Sequence, residues 1–171
     1  QSRRAGFSDL SFLPLGVDHG GDLAMGDLDG DGKTDAVVGT TWDGWGESPL
    51  VGILRGHGDG SFGTPSWCFL GAPPQGIALA DMTRDGHLDV VVTSRRSMQG
   101  DPAGSLLVLP GDGAGGVSVP WTTPLGSFLP DALAIGDLDG DGMADVVATE
   151  TINASWDWTD AVAVFPGRGN G

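Results

Sequence analysis

Tyrosine is absent from this chain, and cysteine, lysine and glutamate are nearly so: one Cys, one Lys and two Glu in 171 residues. The lone thiol, Cys68, forms no internal disulfide. Set in the apolar run Trp67-Cys68-Phe69-Leu70, it reads as a small core residue rather than a nucleophile, and disulfide content is silent about compartment. The scarcity of Glu, Lys and Gln beside 31 Gly argues against helices and for an all-β chain with many tight loops. No apolar run approaches the ~18 residues of a membrane-spanning helix. No segment reads as a signal peptide, so a chain opening at Gln1 is expected to be a mature product or an excised fragment. Positive charge is also scarce. The formal net charge of −15 excludes nucleic acid as a natural partner, because phosphate repels such a surface.

What is abundant is aspartate, and its placement is periodic. Three nine-residue loops repeat one pattern: Asp27-Leu28-Asp29-Gly30-Asp31-Gly32-Lys33-Thr34-Asp35, Asp81-Met82-Thr83-Arg84-Asp85-Gly86-His87-Leu88-Asp89, and Asp137-Leu138-Asp139-Gly140-Asp141-Gly142-Met143-Ala144-Asp145. Their starts lie 54 and 56 residues apart, and they hold 11 of the 23 acidic residues. Aligned on the segments that follow Gly-rich turns, the chain divides into units 7–61, 62–116 and 117–171 within one segment, 1–171. Such a period is typical of propeller blades or stacked repeats.

Each unit reads as four short strands. One apolar segment enters the Asp loop (Leu23-Ala24-Met25, Ile77-Ala78-Leu79-Ala80, Leu133-Ala134-Ile135), and a second leaves it (Ala36-Val37-Val38, Val90-Val91-Val92, Val146-Val147-Ala148). A third follows a variable loop (Leu50 to Leu54, Leu106 to Leu109, Ala161 to Phe165), and a fourth begins after the Gly-rich turns starting at Gly56, Gly111 and Gly167. Those turns are expected to need positive φ, which glycine supplies without strain. Unbroken Val/Ile/Leu runs suit strands buried on both faces, as between stacked blades.

The pattern Asp-x-Asp-Gly-Asp-Gly-x-x-Asp, followed by Gly56-His57-Gly58-Asp59-Gly60-Ser61-Phe62-Gly63-Thr64-Pro65, resembles the FG-GAP or VCBS repeat over essentially the whole chain. Phe62-Gly63 and Gly71-Ala72-Pro73 fit the family's name motif best; the first and third units lack the Phe-Gly pair. The resemblance implies the calcium-binding β-propeller of integrin α-subunits, bacterial secreted proteins and fungal lectins, and with it an extracellular or cell-surface setting. Three blades do not close a ring, since propellers need four to eight. The implied architecture is therefore an incomplete propeller of three four-stranded repeats, completed by further blades of the same protein or by a homo-oligomer. The repeats run out of phase with the blades. Residues 7–16 are expected to complete a blade with the C-terminal strands of another copy or chain, giving a ring or, where rotation does not close, a filament.

The loops themselves suit Ca²⁺, which takes six to eight hard oxygens. Carboxylates at positions 1, 3 and 5 converge, Gly at position 6 permits the sharp turn, position 7 offers a backbone carbonyl, and Asp at position 9 is expected to bind with both oxygens. Three sites follow: Asp27, Asp29, Asp31, the Lys33 carbonyl and Asp35; Asp81, Thr83, Asp85, the His87 carbonyl and Asp89; Asp137, Asp139, Asp141, the Met143 carbonyl and Asp145. Thr83 replaces an acid, so the second site is expected to be the weakest. An EF-hand or dockerin reading fails, because those loops need an acid at position 12, where Val38, Val92 and Ala148 stand. A bare Asp/Gly-rich surface turn is the alternative, but so many uncompensated carboxylates would cost folding energy. Three divalent ions would lift the net charge from −15 to about −9.

Four of the six Trp fall in the variable loops 41–49 and 150–158: Trp42, Trp45, Trp156 and Trp158. Indole faces beside acids suit sugar rings, and loops on a rigid scaffold commonly carry function; packing over blade edges is the competing use. Trp67 and Trp121 read as packing residues on fourth strands, and Arg95 with Arg96 as a solvated pair. Asn153-Ala154-Ser155 fits an N-glycosylation sequon. His19, His57 and His87 are scattered and form no catalytic triad or metal-ligand set. The expected function is a non-enzymatic, calcium-binding recognition, adhesion or assembly module, with carbohydrate binding through the Trp loops. An accessory propeller segment of a secreted polysaccharide-degrading enzyme is one alternative, and a self-assembling subunit joined by strand exchange is another.

Overall fold

The computed structural model describes residues 13–15, 20–40, 50–95, 104–154 and 157–169. Eleven strands form three antiparallel sheets in chain order. The first contains β1 (Gly20–Gly26), β2 (Asp35–Thr40), β3 (Leu50–Leu54) and β4 (Ser66–Phe69). The second contains β5 (Pro74–Ala80), β6 (Asp89–Ser94), β7 (Gly104–Leu109) and β8 (Trp121–Gly126). The third contains β9 (Ala132–Gly136), β10 (Asp145–Ala154) and β11 (Asp157–Phe165). Every neighbour pair is a simple up-and-down hairpin step, and β1 lies against β5 as β5 lies against β9. These are propeller blades with their first strands side by side, in a ring that does not close. The boundaries drawn at residues 61/62 and 116/117 fall between the third and fourth strands of the first two sheets. Residues 7–12 and 16, part of the expected exchanged strand, lie outside the described residues.

The middle sheet explains the unbroken apolar runs. Along β6, Val90 and Val92 face the first sheet while Val91 faces the third; along β7, Leu107 and Leu109 face the first and Leu106 and Val108 the third. Side chains alternate across a strand, so a sheet covered on both sides must be apolar at every position. One cluster joins Val37, Val51, Ile53 and Leu70 to Ile77, Val90 and Leu109; the other joins Met82 and Val91 to Val146. Among the described residues, the third sheet is covered on one side only, and Val162 and Val164 on β11 stand exposed.

Position 2 of each Asp loop plugs the gap to the following blade. Leu28 is 2% exposed in the first interface and Met82 8% in the second, whereas Leu138, with no blade described beyond it, is 57% exposed. Polar contacts add to these seams: Asp22 Oδ2 accepts the Ile77 N–H at 2.8 Å, and Arg95 pairs with Asp131 at 2.9 Å. Arg95 is thus an inter-blade tie rather than a solvated charge; Arg96 lies outside the described residues.

Cys68 sits half-buried against the first cluster, where desolvation pushes its thiol up. Trp67 covers Gly52, whose hypothetical Cβ would lie 2.6 Å from the indole, as expected of a packing residue. Trp121 does not follow: on β8, at the end of the second sheet, it is about half exposed. The described residues of the variable segment, 150–154 and 157–158, also differ from a loop, since β10 and β11 continue their ladder through Asn153↔Trp158 to Ala154↔Asp157. Trp158 and the Asn153 sequon therefore stand on a hairpin extension. Trp42, Trp45 and Trp156 lie outside the described residues.

Candidate metal centre

Each Asp loop bridges the first and second strands of its sheet at one end of the blade; the third-to-fourth-strand turn returns to the same end. The position 1 carboxylate shapes the loop by accepting successive backbone N–H groups. Asp27 takes those of Gly30 at 2.8 Å, Asp31 at 3.2 Å and Gly32 at 2.8 Å. Asp137 takes those of Gly140 at 2.7 Å and Gly142 at 2.9 Å, and Asp81 those of Asp85 at 3.1 Å and Gly86 at 3.0 Å. Positions 4 and 6 need left-handed backbone, with φ of 72° and 81° at Gly30 and Gly32. In the second loop Arg84 occupies position 4 at φ 61°, a conformation that a side chain makes costly.

The fold gathers Asp27, Asp29 and Asp35 so that one carboxylate oxygen from each lies within 4.8 Å of the others, and it does the same with Asp137, Asp139 and Asp145. Asp31 stands apart from the first group. Its Oδ2 takes the Lys33 ammonium at 2.7 Å, which holds its carboxyl below the usual range and raises Lys33. Asp141 accepts the Met143 N–H at 2.8 Å. The second loop forms no such three-acid group among the described residues, as the Thr83 substitution implies. Yet Thr83 Oγ1 is buried with no hydrogen-bond partner there, an orphan oxygen at the position where the other loops place an acid. Hard carboxylate and hydroxyl oxygens, one of them unsatisfied, fit Ca²⁺ chemistry.

Position 9 has a second task that the linear pattern does not reveal. Asp35 is 1% exposed; its Oδ2 accepts the Leu28 N–H at 3.1 Å and its Oδ1 the Gly56 N–H at 2.8 Å. Asp89 joins Met82 and Thr83 to Gly111, and Asp145 joins Leu138 to Gly167. The N–H groups of Gly167 and Leu138 hold Asp145 below the usual carboxylate range. Position 9 is thus also a strut between Asp loop and Gly-rich turn. In Asp35 and Asp145 each oxygen accepts one N–H and keeps a lone pair for a cation, whereas Asp89 Oδ2 already accepts two.

The same approach explains the first glycine of each turn. A Cβ on Gly56, Gly111 or Gly167 would lie 2.0–2.2 Å from the carbonyl oxygen of Thr34, Leu88 or Ala144. These first glycines answer close backbone contact, while the positive φ expected of the turns is supplied by Gly58, Gly60, Gly113, Gly115 and Gly169. Bridges Gly56↔Phe62 and Gly111↔Val117 close the first two turns.

The first turn brings His57, Ser61 and Asp59 together, with His57 Nδ1 3.0 Å from Ser61 Oγ and Ser61 Oγ donating to Asp59 at 2.6 Å. The order is wrong for nucleophile activation. The serine proton goes to the aspartate, so His57 must donate to Ser61 rather than accept from it. Asp59 is held below its usual range by the Ser61 hydroxyl and backbone N–H, which describes a turn cap. His87 lies against Gly113, and His19 is outside the described residues.

No curated protein matches the chain significantly. Residues 27–92 match the family described as FG-GAP-like repeat, a span from the first residue of the first Asp loop through the whole second loop into β6. The loop, its strands and its Gly-rich turn recur together, and the segment 27–92 is similar to an FG-GAP-like repeat.

Proposed function

We propose that the chain is a non-enzymatic, calcium-stabilised propeller module acting in recognition, adhesion or assembly outside the cell. The convergence of three carboxylates in the first and third loops carries this reading, with the orphan hydroxyl of Thr83 supporting a weaker second site. Asp27, Asp29 and Asp35 would hold one ion, Asp137, Asp139 and Asp145 another, and Asp81, Thr83 and Asp89 a third, with Asp31, Asp85, Asp141 and the carbonyls of Lys33, His87 and Met143 completing the shells. The ion's contribution is electrostatic: it neutralises carboxylates that otherwise repel one another at the blade end. At calcium of about 100 times Kd, each site stabilises the fold by ~2.7 kcal/mol. Thermal melts in calcium and in EDTA test the reading: calcium should raise the transition and chelator reverse it, and identical melts would refute it.

The exposed Leu138, Val162 and Val164 support a further blade seated against the third sheet, supplied by the same protein or a second copy. Solution mass reads this directly; a strictly monomeric fragment would rule out the second copy. Trp42, Trp45, Trp156 and Trp158, each close to an acidic residue in sequence, support a sugar ligand. Glycan binding should vanish in Trp42→Ala or Trp156→Ala with the fold intact, and unchanged binding would remove those residues from the site.

A further inference from the structure

The first and third loops present matching groups of three aspartates, but their surroundings differ in the cations that reach them. Arg55, the last residue before the Gly56 turn, sends its guanidinium into the first group. Its Nη1 pairs with Asp29 Oδ2 and lies 3.8 Å from Asp35 Oδ2, while Nη2 donates to the Ala114 carbonyl in the neighbouring blade's Gly-rich turn. One planar fork therefore touches two of the three clustered carboxylates and the next blade at once. At the corresponding place before the other turns stand Pro110 and Pro166, and where the first loop has Lys33 the third has Met143. Among the described residues no ion pair reaches Asp137, Asp139, Asp141 or Asp145.

Resting on the calcium reading above, we infer that Arg55 is a built-in counter-cation of the first loop. A divalent ion enters there only by displacing the guanidinium, and the displacement is transmitted to the second blade through Ala114. The reason is elementary: a Ca²⁺ among Asp27, Asp29 and Asp35 and a guanidinium on Asp29 compete for the same negative charge and repel each other. The two matching loops are thus unequal. The third is the tighter site; the first is the weaker one, coupled to an inter-blade contact.

Calcium titration by calorimetry on the full chain, with backbone amide NMR of Ala114 and Gly115, tests this. Wild type should show a tighter class that Asp139→Asn abolishes. In that Asp139→Asn background, Arg55→Gln should tighten first-loop binding about two- to fivefold, the worth of a partly exposed ion pair that no longer has to be broken. The Ala114 and Gly115 amides should shift on calcium addition with Arg55 present and not with Gln. Arg55→Lys keeps the charge without the fork: weak affinity should persist while the amide shift is lost. Unchanged or weaker calcium binding in a folded Arg55→Gln protein overturns the role of Arg55, as does an Arg55→Lys protein that binds as tightly as Arg55→Gln. If no variant and not even wild type takes up calcium, the proposed function falls and this inference with it. Calcium at the third loop with no response to Arg55 fails the inference alone.

Discussion

Asp89→Asn separates the two tasks of the position 9 aspartate. Asp89 is fully buried, and its carboxylate accepts three backbone N–H groups: Met82 at 2.8 Å and Thr83 at 3.1 Å on one oxygen, Gly111 at 2.8 Å on the other. Asparagine matches the shape but keeps one accepting oxygen. Its NH₂ must then face either the loop donors or the Gly111 donor, so one or two hydrogen bonds are lost and a donor meets a donor. Each buried donor left unsatisfied costs ~1–3 kcal/mol, which places the substitution at about 2–5 kcal/mol. For a chain of this size that corresponds to a Tm lower by roughly 5–15 °C. The melt is read in EDTA, where no ligand role contributes. Asp85→Asn is the control. Asp85 is exposed and, among the described residues, accepts the His87 N–H at 2.9 Å, so its melt in EDTA should move by no more than about 2 °C. If Asp89→Asn melts with wild type in EDTA and falls behind only in calcium, Asp89 is a ligand and not a strut.

Gly111→Ala should destabilise by ~1–3 kcal/mol or more, since its Cβ would stand 2.2 Å from the Leu88 carbonyl oxygen; a melt unchanged from wild type would disprove the close contact. Met82→Ala should lower stability by about 2–4 kcal/mol, whereas Leu138→Ala, on the uncovered side, should be nearly neutral in the isolated chain. Equal urea midpoints for the two would refute the plug assignment. Asp112 is held below its usual value of 3.8 by the Gly116 and Ala114 N–H groups. A depressed folded-state pKa gives stability that is present above 3.8 and lost as the pH falls through the folded value. The gap between wild type and Asp112→Ala should therefore narrow on acidification below that point; a gap that widens there would contradict it.

Much was legible in the chain before any fold was known, because it is local. Alternating aspartates with glycine at positions 4 and 6 dictate a loop through hydrogen bonds of two to five residues' span, such as Gly32 to Asp27 at 2.8 Å. The Val90-Val91-Val92 run foretells a strand covered on both faces, and the 54- and 56-residue spacing foretells blades. What the local pattern leaves out lies in partners far away in sequence. The Thr34 carbonyl stands against the turn residue Gly56, and Asp35 also accepts the Gly56 N–H, 21 residues on. Residues 150–154 and 157–158, expected in a variable loop, instead continue the β10 and β11 ladder.

The sequence alone determined the all-β class, the repeat, the Asp loops and the strands that flank them, since each follows from hydrogen bonding and apolar alternation within a few residues. Only the tertiary structure decided that Leu28 and Met82 seal blades while Leu138 stands uncovered, and that Arg55 joins the first loop to a carbonyl 59 residues away. No short-range rule encodes such contacts. They arise when rigid sheets stack and bring side chains from separate repeats within reach.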